Sequence, residues 1–289
     1  MKRIDTDRFR VGEGTRVRLK DRDPADTAPF PSEEAAKGLL KKAQKRMHEL
    51  AEVLYAQDRW SVLLIFQAMD AAGKDSAIKH VMRGLDPKAT QVYSFKAPSD
   101  EELDHDFMWR CLRVLPERGR IGVFNRSYYE EVLVVRIHPG LLEAQHLPSQ
   151  RLTPRIWKER FEDIRDIERY LCRNGTVIRK FFLNVSKAEQ RRRFVARLDD
   201  PAKNWKFAVG DVNERLHWDK YMRAYEEAIA ATSTRHAPWH VVPADHKWFT
   251  RLAIAKIIIE TLESLQLEFP AVDGVKRREL AEARRRLRA

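Results

Sequence analysis

Cysteine is scarce: the 289 residues hold two, Cys111 and Cys172. With no CxxC pair and no Cys/His spacing they support neither a zinc site nor a disulfide framework. Both read as reduced thiols in helical stretches. Long apolar runs are also missing. The run from Val62 to Met69 is too short to span a bilayer, and the first residues, MKRIDTDRFRV, lack the apolar core of a secretory signal. A cytoplasmic protein without membrane contact is the expectation. The chain has only 11 Gly and 13 Pro, which excludes collagen-like and glycine-rich disordered architectures.

What is present describes a soluble, helix-rich globular protein: 43% hydrophobic and 34% charged residues. The length suits one large α/β domain, although two smaller domains would also fit it. The formal charge is +12, and the tail from Val275 to Ala289 holds seven Lys/Arg against two Asp/Glu, leaving +7 for the rest. A basic balance favours a polyanionic partner. It does not say which, because nucleic acid, acidic membrane and polyphosphate respond to the same long-range field.

Along the chain, residues 1–30 read as an irregular arm, laid on the surface or wrapped around a neighbour, and residues 31–270 as the catalytic-type domain. Residues 271–289 read as a basic tail, solvated or used for oligomer contact. From Ser32, a plausible N-cap, the spacing of Leu39, Leu40, Ala43, Met47, Leu50 and Leu54 predicts an amphipathic helix. SVLLIFQA is a short continuous apolar run, as expected of a strand buried on both faces, and SAIKHVMRGL follows as helix. QVYSF, RIGVFN, TVIRKFFLNV and WHVVPA read as further strands. Between and after them DEELDHDFMWRCLRVL (capped by Ser99), TPRIWKERFEDIRDIERYLCRNG (closed by Gly175), KAEQRRRFVARL, NERLHWDKYMRAYEEAI and KWFTRLAIAKIIIETLESL read as helices. Such alternation predicts a mainly parallel sheet in a three-layer α/β/α sandwich.

Residues Ala68 to Asp75 read AMDAAGKD. The motif departs twice from GxxxxGK[ST], with Ala68 for the first Gly and Asp75 for the Mg²⁺-binding Ser/Thr. Its context is a strand upstream and a helix downstream, which is where backbone N–H groups and a lysine, here Lys74, surround a phosphate. The plainer alternative is that Gly73 turns the chain and Lys74 is solvated. Asp70 reads as a metal-binding or acceptor-orienting carboxylate, or as a local turn former.

The strand RIGVF ends in NRSYYEEVL. This sets Asn125 where P-loop enzymes usually carry an acidic metal ligand, followed by Arg126, Glu130 and Glu131 at the carboxyl edge of the sheet, where open α/β sheets bind ligands. Alternatively the glutamates complement a helix dipole and Arg126 pairs with one of them. Further on, Lys187, Arg191, Arg192, Arg193, Arg197, Lys203 and Lys206 crowd one helix and its exit. Most such runs are solvated faces, but phosphoryl transfer also uses cations carried on a mobile lid. The face Trp218, Tyr221, Met222, Tyr225 and Ile229 reads as core, and His138, His240 and His246 share no metal-ligand spacing.

The combination QAMDAAGKDS, FNRSYYEEVLVVRIHP, FFLNVSKAEQRRRF, DDPAKNWKF and PADHKWFTRLA closely resembles the second family of polyphosphate kinases, over about residues 30–268. The resemblance implies a P-loop kinase with a helical lid, placed at about 187–210, and reversible Mg²⁺- or Mn²⁺-dependent phosphoryl transfer between polyphosphate and nucleotides. It implies catalytic roles for Asp70, Lys74 and Arg126, acceptor binding by Asn125, Glu130 and Asp70, and a metal on Asp70. Polyphosphate is then expected on Ala71, Ala72, Gly73, Lys74, Asp75, Ser76, Arg192 and Arg193. Many members carry Asp where this chain has Asn125, and the likeness is to the subclass that accepts both AMP and ADP, giving ADP and then ATP. Guanine nucleotides are further candidate acceptors and a homo-oligomer is expected. An ATP-dependent nucleoside monophosphate kinase and a non-catalytic P-loop protein binding RNA are the alternatives, RNA being the less favoured partner.

Overall fold

The computed structural model describes residues 4–202, 204 and 209–288. Its strands are β1 (Ser61–Ala68), β2 (Thr90–Ser94), β3 (Ile121–Asn125), β4 (Thr176–Asn184) and β5 (Trp239–Pro243). The helices before β4 are α1 (Leu39–Gln57), α2 (Lys74–Val81), α3 (Asp100–Leu103), α4 (Trp109–Leu112), α5 (Val134–Ile137), α6 (Pro139–Glu143) and α7 (Ile156–Arg173). After β4 come α8 (Lys187–Leu198), α9 (Val209–Leu216), α10 (Trp218–Thr232), α11 (Lys247–Ser264) and α12 (Gly274–Arg288). No described helix is long and apolar enough to cross a membrane.

The five described strands form one parallel sheet in the order β2-β3-β1-β4-β5. Every residue of the central strand β1 is buried, as its unbroken apolar run requires of a strand covered on both faces. Helices α1, α2 and α11 pack together on one face of the sheet, and α5, α7 and α10 on the other. The expected core face of α10 is found: Trp218, Tyr221, Tyr225 and Ile229 are buried, and Met222 is partly buried against the core.

Three expected helices differ in extent. The first begins at Leu39 rather than Ser32, because Gly38 takes a left-handed conformation (φ 75°) that separates it from a short 3-10 turn at Glu34–Ala36. The segment after Ser99 forms two short helices, α3 and α4, although Ser99 and Glu102 do make the reciprocal capping box. NERLHWDKYM likewise divides, α10 beginning after His217. The N-terminal arm lies on its own chain: Val11 N–H donates to Trp239 O (2.9 Å), and Phe9 packs edge-on against Phe249.

One apolar-looking strand hides an ion pair. Lys180 on β4 and Glu168 on α7 are both fully buried, with Nζ 2.5 Å from Oε2. Tyr128 and Tyr129 donate their hydroxyls to Glu168 Oε1 (3.0 and 2.9 Å), and Lys180 also donates to Thr232 O (2.8 Å). Two buried charges are tolerable because their remaining hydrogen-bonding capacity is met. The pair thereby anchors the segment that follows β3. Lys180→Met, which strands Glu168, is expected to lower the unfolding free energy by about 3–5 kcal/mol in urea denaturation. Adding Glu168→Leu should recover most of that loss, and a double variant as unstable as the single one would show that the pair is not the source.

Candidate active site

The carboxyl edge of the sheet gathers the expected residues because β1 and β3 are neighbours in register, Phe66 opposite Asn125. After Ala68 the chain turns through Met69–Gly73 and enters α2. Ala71 has φ 59° and Gly73 φ 97°, and a non-glycine residue held in the left-handed region needs surroundings that fix it. The first N–H groups of α2 have no intrahelical acceptor and point, with the positive end of the helix dipole, at the space above the loop.

Lys74, the first residue of α2, is only 8% exposed, yet among the described residues its ammonium has neither a hydrogen-bond nor an ion-pair partner. Burial, and then the nearby Arg126 charge, lower its pKa from the ordinary lysine value of 10.5. An unpaired buried cation is costly, and such a group at a helix N-terminus is arranged for an incoming anion.

Arg126 follows β3 with φ 65°. Its N–H donates to Phe66 O across to β1 (3.0 Å), and its guanidinium bridges Asp70 Oδ1 (3.0 Å) and Glu130 Oε2 (3.2 Å). The Glu130 and Asp70 charges hold it firmly protonated against its partial burial. The adjacent glutamate goes elsewhere: Glu131 is buried against Arg160 (3.0 Å) and Gln145 (2.6 Å). Asn125 Nδ2 donates to Asp75 Oδ1 (2.9 Å) and Ser94 Oγ (3.2 Å). Ser94 in turn lines a cavity of about 370 Å³ walled by Phe95, Trp109, Arg110 and Arg113.

The basic helix α8 divides its arginines. Arg192 has a side chain 76% exposed and pairs with Glu189 (2.6 Å). Arg193, expected among the polyphosphate ligands, is buried behind the loop. Its Nη1 donates to Ala71 O (3.1 Å) and Ala72 O (2.6 Å), its Nη2 to Ala244 O (2.6 Å) and Asp245 O (3.1 Å), and its Nε to Glu189 Oε1 (2.6 Å). A guanidinium has five N–H groups, so a bond from Arg193 to phosphate would break one of these. Lys203 and Lys206 lie outside the described residues.

Sequence reasoning missed three contributors. Gln190 Nε2 donates to Asp70 O (2.9 Å), while its Oε1 accepts from Arg215 on α9 (2.7 Å), tying α8 and α9 to the loop. Arg251 on α11 donates to Ser76 Oγ (2.9 Å), and the Lys247 side chain approaches Gly73. The i, i+4 spacing of Lys247 and Arg251 was the available signal, since it sets both on one helix face. Among the described residues no group of three or more His, Cys, Asp or Glu side chains is arranged to hold a metal.

The arrangement therefore offers an unpaired lysine at a helix N-terminus and an arginine between two carboxylates, with a cavity beside them: the parts of a phosphoryl-transfer site. The comparisons with known proteins agree. The family model described as Polyphosphate kinase 2 matches residues 31–270. The chain is 50% identical over 287 residues to an ADP-polyphosphate phosphotransferase of Rhodopseudomonas palustris, covering 99% of each. It is 43% identical over 264 residues to an AMP/ADP-polyphosphate phosphotransferase of Meiothermus ruber, covering 91% of this chain and 95% of the relative. It also resembles the crystal structure of Polyphosphate Kinase 2 from Arthrobacter aurescens TC1, with a TM-score of 0.87 at 40% identity, covering 97% of this chain and 98% of that one.

Lys74→Ala and Asp70→Asn should each reduce kcat by at least about a hundredfold with little change in Tm, as expected of charges that act on the transition state. Residual activity in a markedly less stable protein would instead mark a structural turn. A lysine attracts phosphate only when protonated, so a phosphate-holding role for Lys74 predicts that kcat/KM falls as pH rises through a pKa below 10.5. Lys74→Arg should move that alkaline limb upward in a pH–rate profile, and an unmoved limb would assign it to another group.

Proposed function

The chain belongs to the polyphosphate kinase 2 family, and on that premise we propose that it transfers the terminal phosphoryl group of inorganic polyphosphate to AMP and to ADP. The observation that carries the reading is the buried, unpaired Lys74 beside the Asp70–Arg126–Glu130 bridge. The names of the Rhodopseudomonas and Meiothermus relatives support polyphosphate as the donor, and the latter supports both acceptors. An ATP-dependent kinase and an RNA-binding protein are not favoured.

In this mechanism the donor's end phosphates occupy the loop, against Lys74 and the amides of α2's first turn. The acceptor's phosphate lies toward Arg126, and its nucleoside lies in the cavity beyond Ser94. The attacking oxygen belongs to a phosphate already ionised at neutral pH, whose second pKa is about 6, so no general base is needed. Lys74 and Arg126 neutralise charge as it spreads over the transferring group. No covalent enzyme intermediate is required.

Bound Mg²⁺ or Mn²⁺ would supply additional neutralisation of the phosphates. Asp70 is the side chain suited to hold it. Its Oδ1 is engaged by Arg126, whereas Oδ2 accepts no hydrogen bond among the described residues, and magnesium sites are commonly completed by one or two carboxylates and substrate phosphates.

Asn125 supports the dual acceptor. Its amide donates to the Asp75 carboxylate at 2.9 Å. An aspartate there would set two carboxylates face to face and add negative charge beside the anionic acceptor. The neutral amide leaves the site open to acceptors of different charge.

With polyphosphate as donor, AMP should yield ADP and then ATP, resolved chromatographically. Transfer from ATP alone would overturn the donor assignment. Transfer to ADP but never to AMP would keep the donor and overturn the dual acceptor.

A further inference from the structure

Helix α9 is placed by polar contacts rather than by apolar ones. Val212 and Leu216 are both exposed, the latter by 82%, so neither anchors the helix to the body. Eight residues without such burial do not hold a helix in position by themselves. Two consecutive residues near its end, Glu214 and Arg215, supply the hold, and they reach two different parts of the protein.

Glu214 reaches the segment that follows β3. Its Oε2 accepts from Tyr221 Oη on α10 (2.6 Å) and from His138 Nε2 between α5 and α6 (3.0 Å). Burial, and then Glu214, raise the Tyr221 hydroxyl far above its ordinary pKa, which keeps it a donor. Against its own burial, the bonds from Tyr221 and His138 hold Glu214 below the ordinary carboxylate value. An ionised carboxylate only accepts, so His138 carries a proton on Nε2.

Arg215 reaches the phosphate loop through one intermediary. Its Nη1 donates to Lys187 O (2.8 Å) and to Gln190 Oε1 (2.7 Å), and Gln190 Nε2 donates to Asp70 O (2.9 Å). Arginine has no acceptor, so its place at Oε1 decides which end of the Gln190 amide faces the loop. Gln190 is buried, and an amide turned the other way there would set Oε1 against the Asp70 carbonyl oxygen and leave both ends unsatisfied. Asp70 carries the carboxylate that Arg126 engages, so a shift of its backbone moves a group of the reacting site.

The contacts run in series: His138 and Tyr221 fix Glu214, the helix carries that position to Arg215, and Arg215 sets Gln190 against Asp70. We infer that Glu214 and Arg215 are positioning residues that act through Gln190 on Asp70, making α9 a strap between the segment after β3 and the phosphate loop. The kinetic consequence rests on the proposed function, whereas the effect on the loop does not.

The test compares wild type with Glu214→Ala, Arg215→Ala, their double variant, Tyr221→Phe and Arg215→Lys, each checked for Tm. Without ligand, amide exchange of segment 69–76 should be at least about tenfold faster in Glu214→Ala and Arg215→Ala, with β1 as protected as in wild type. At saturating polyphosphate and AMP, kcat should fall roughly five- to twentyfold in both, while neither KM changes by more than about threefold. Because the contacts act in series, the double variant should be within about twofold of Arg215→Ala. Tyr221→Phe, which removes one of the two bonds to Glu214, should show a smaller effect in the same direction, and Arg215→Lys, which keeps a donor at Gln190, should recover most of the loss.

A loop that exchanges as slowly as in wild type would overturn the strap. Losses that multiply in the double variant would overturn the series and make the two residues independent. A rise confined to the acceptor KM over an unchanged loop would make Glu214 an acceptor contact instead, and a lowered Tm with unchanged kcat and loop would reduce the pair to packing of α9. If wild type transfers nothing from polyphosphate, the proposed function fails, and loop exchange still decides the strap.

Discussion

The guanidinium of Arg193 is the contact on which the site depends. All five of its N–H groups are used: they collect the carbonyls of Ala71 and Ala72 from the loop, those of Ala244 and Asp245 from the turn before α11, and the carboxylate of Glu189. Drawing loop carbonyls backward leaves the loop's opposite side for N–H groups and an anion, and it holds Ala71 in a conformation that an alanine rarely adopts. Because Glu189 neutralises Arg193, the clamp adds no unpaired buried charge. Gln190 holds the loop carbonyl one residue earlier, that of Asp70, in the same way. The loop is therefore shaped before any ligand arrives, as electrostatic preorganisation requires.

Around that fixed loop the charges separate. Toward β3 stand Arg126, Asp70, Glu130 and the Asn125–Asp75 pair, a mixed set suited to orienting a nucleotide phosphate. Toward α11 stand Lys247, which is exposed, and Arg251, which donates to Ser76 Oγ. Lys74 lies between the two sets and has no partner among the described residues. The sheet places them there: β1 and β3 end side by side, and the buried Lys180–Glu168 pair fixes the tyrosines that lead from Arg126 to Glu130.

Much of this was legible in the sequence. The apolar run SVLLIFQA can be a strand of this kind only if both faces are covered, and AMDAAGKD after it marks the turn into α2 whatever its departures from the usual pattern. Arg126 and Glu130 were readable from their place after a strand. What escaped depends on side-chain direction, which composition does not carry. Nothing in YYEEV shows that Glu130 faces Arg126 while Glu131 turns inward to Arg160. Nothing in RRR separates exposed Arg192 from buried Arg193. Lys180 follows Arg179 in a strand whose remaining residues are mostly apolar, and its partner is on another element. The arm read as irregular; its described part holds 3-10 turns at Asp7–Phe9 and Leu19–Asp21, and Phe9 and Val11 pack on the body of the protein.

If Arg193 shapes the loop, its loss should be felt first in the loop. Amide hydrogen exchange of the segment 69–76, measured for wild type and Arg193→Gln without ligand, tests this most directly. The account predicts markedly faster exchange of that segment in the variant, with β1 and β4 as protected as in wild type and a large fall in phosphate-donor affinity. A segment that exchanges as slowly as in wild type, in a variant that has lost donor affinity, would contradict the clamp and return Arg193 to direct contact with the donor.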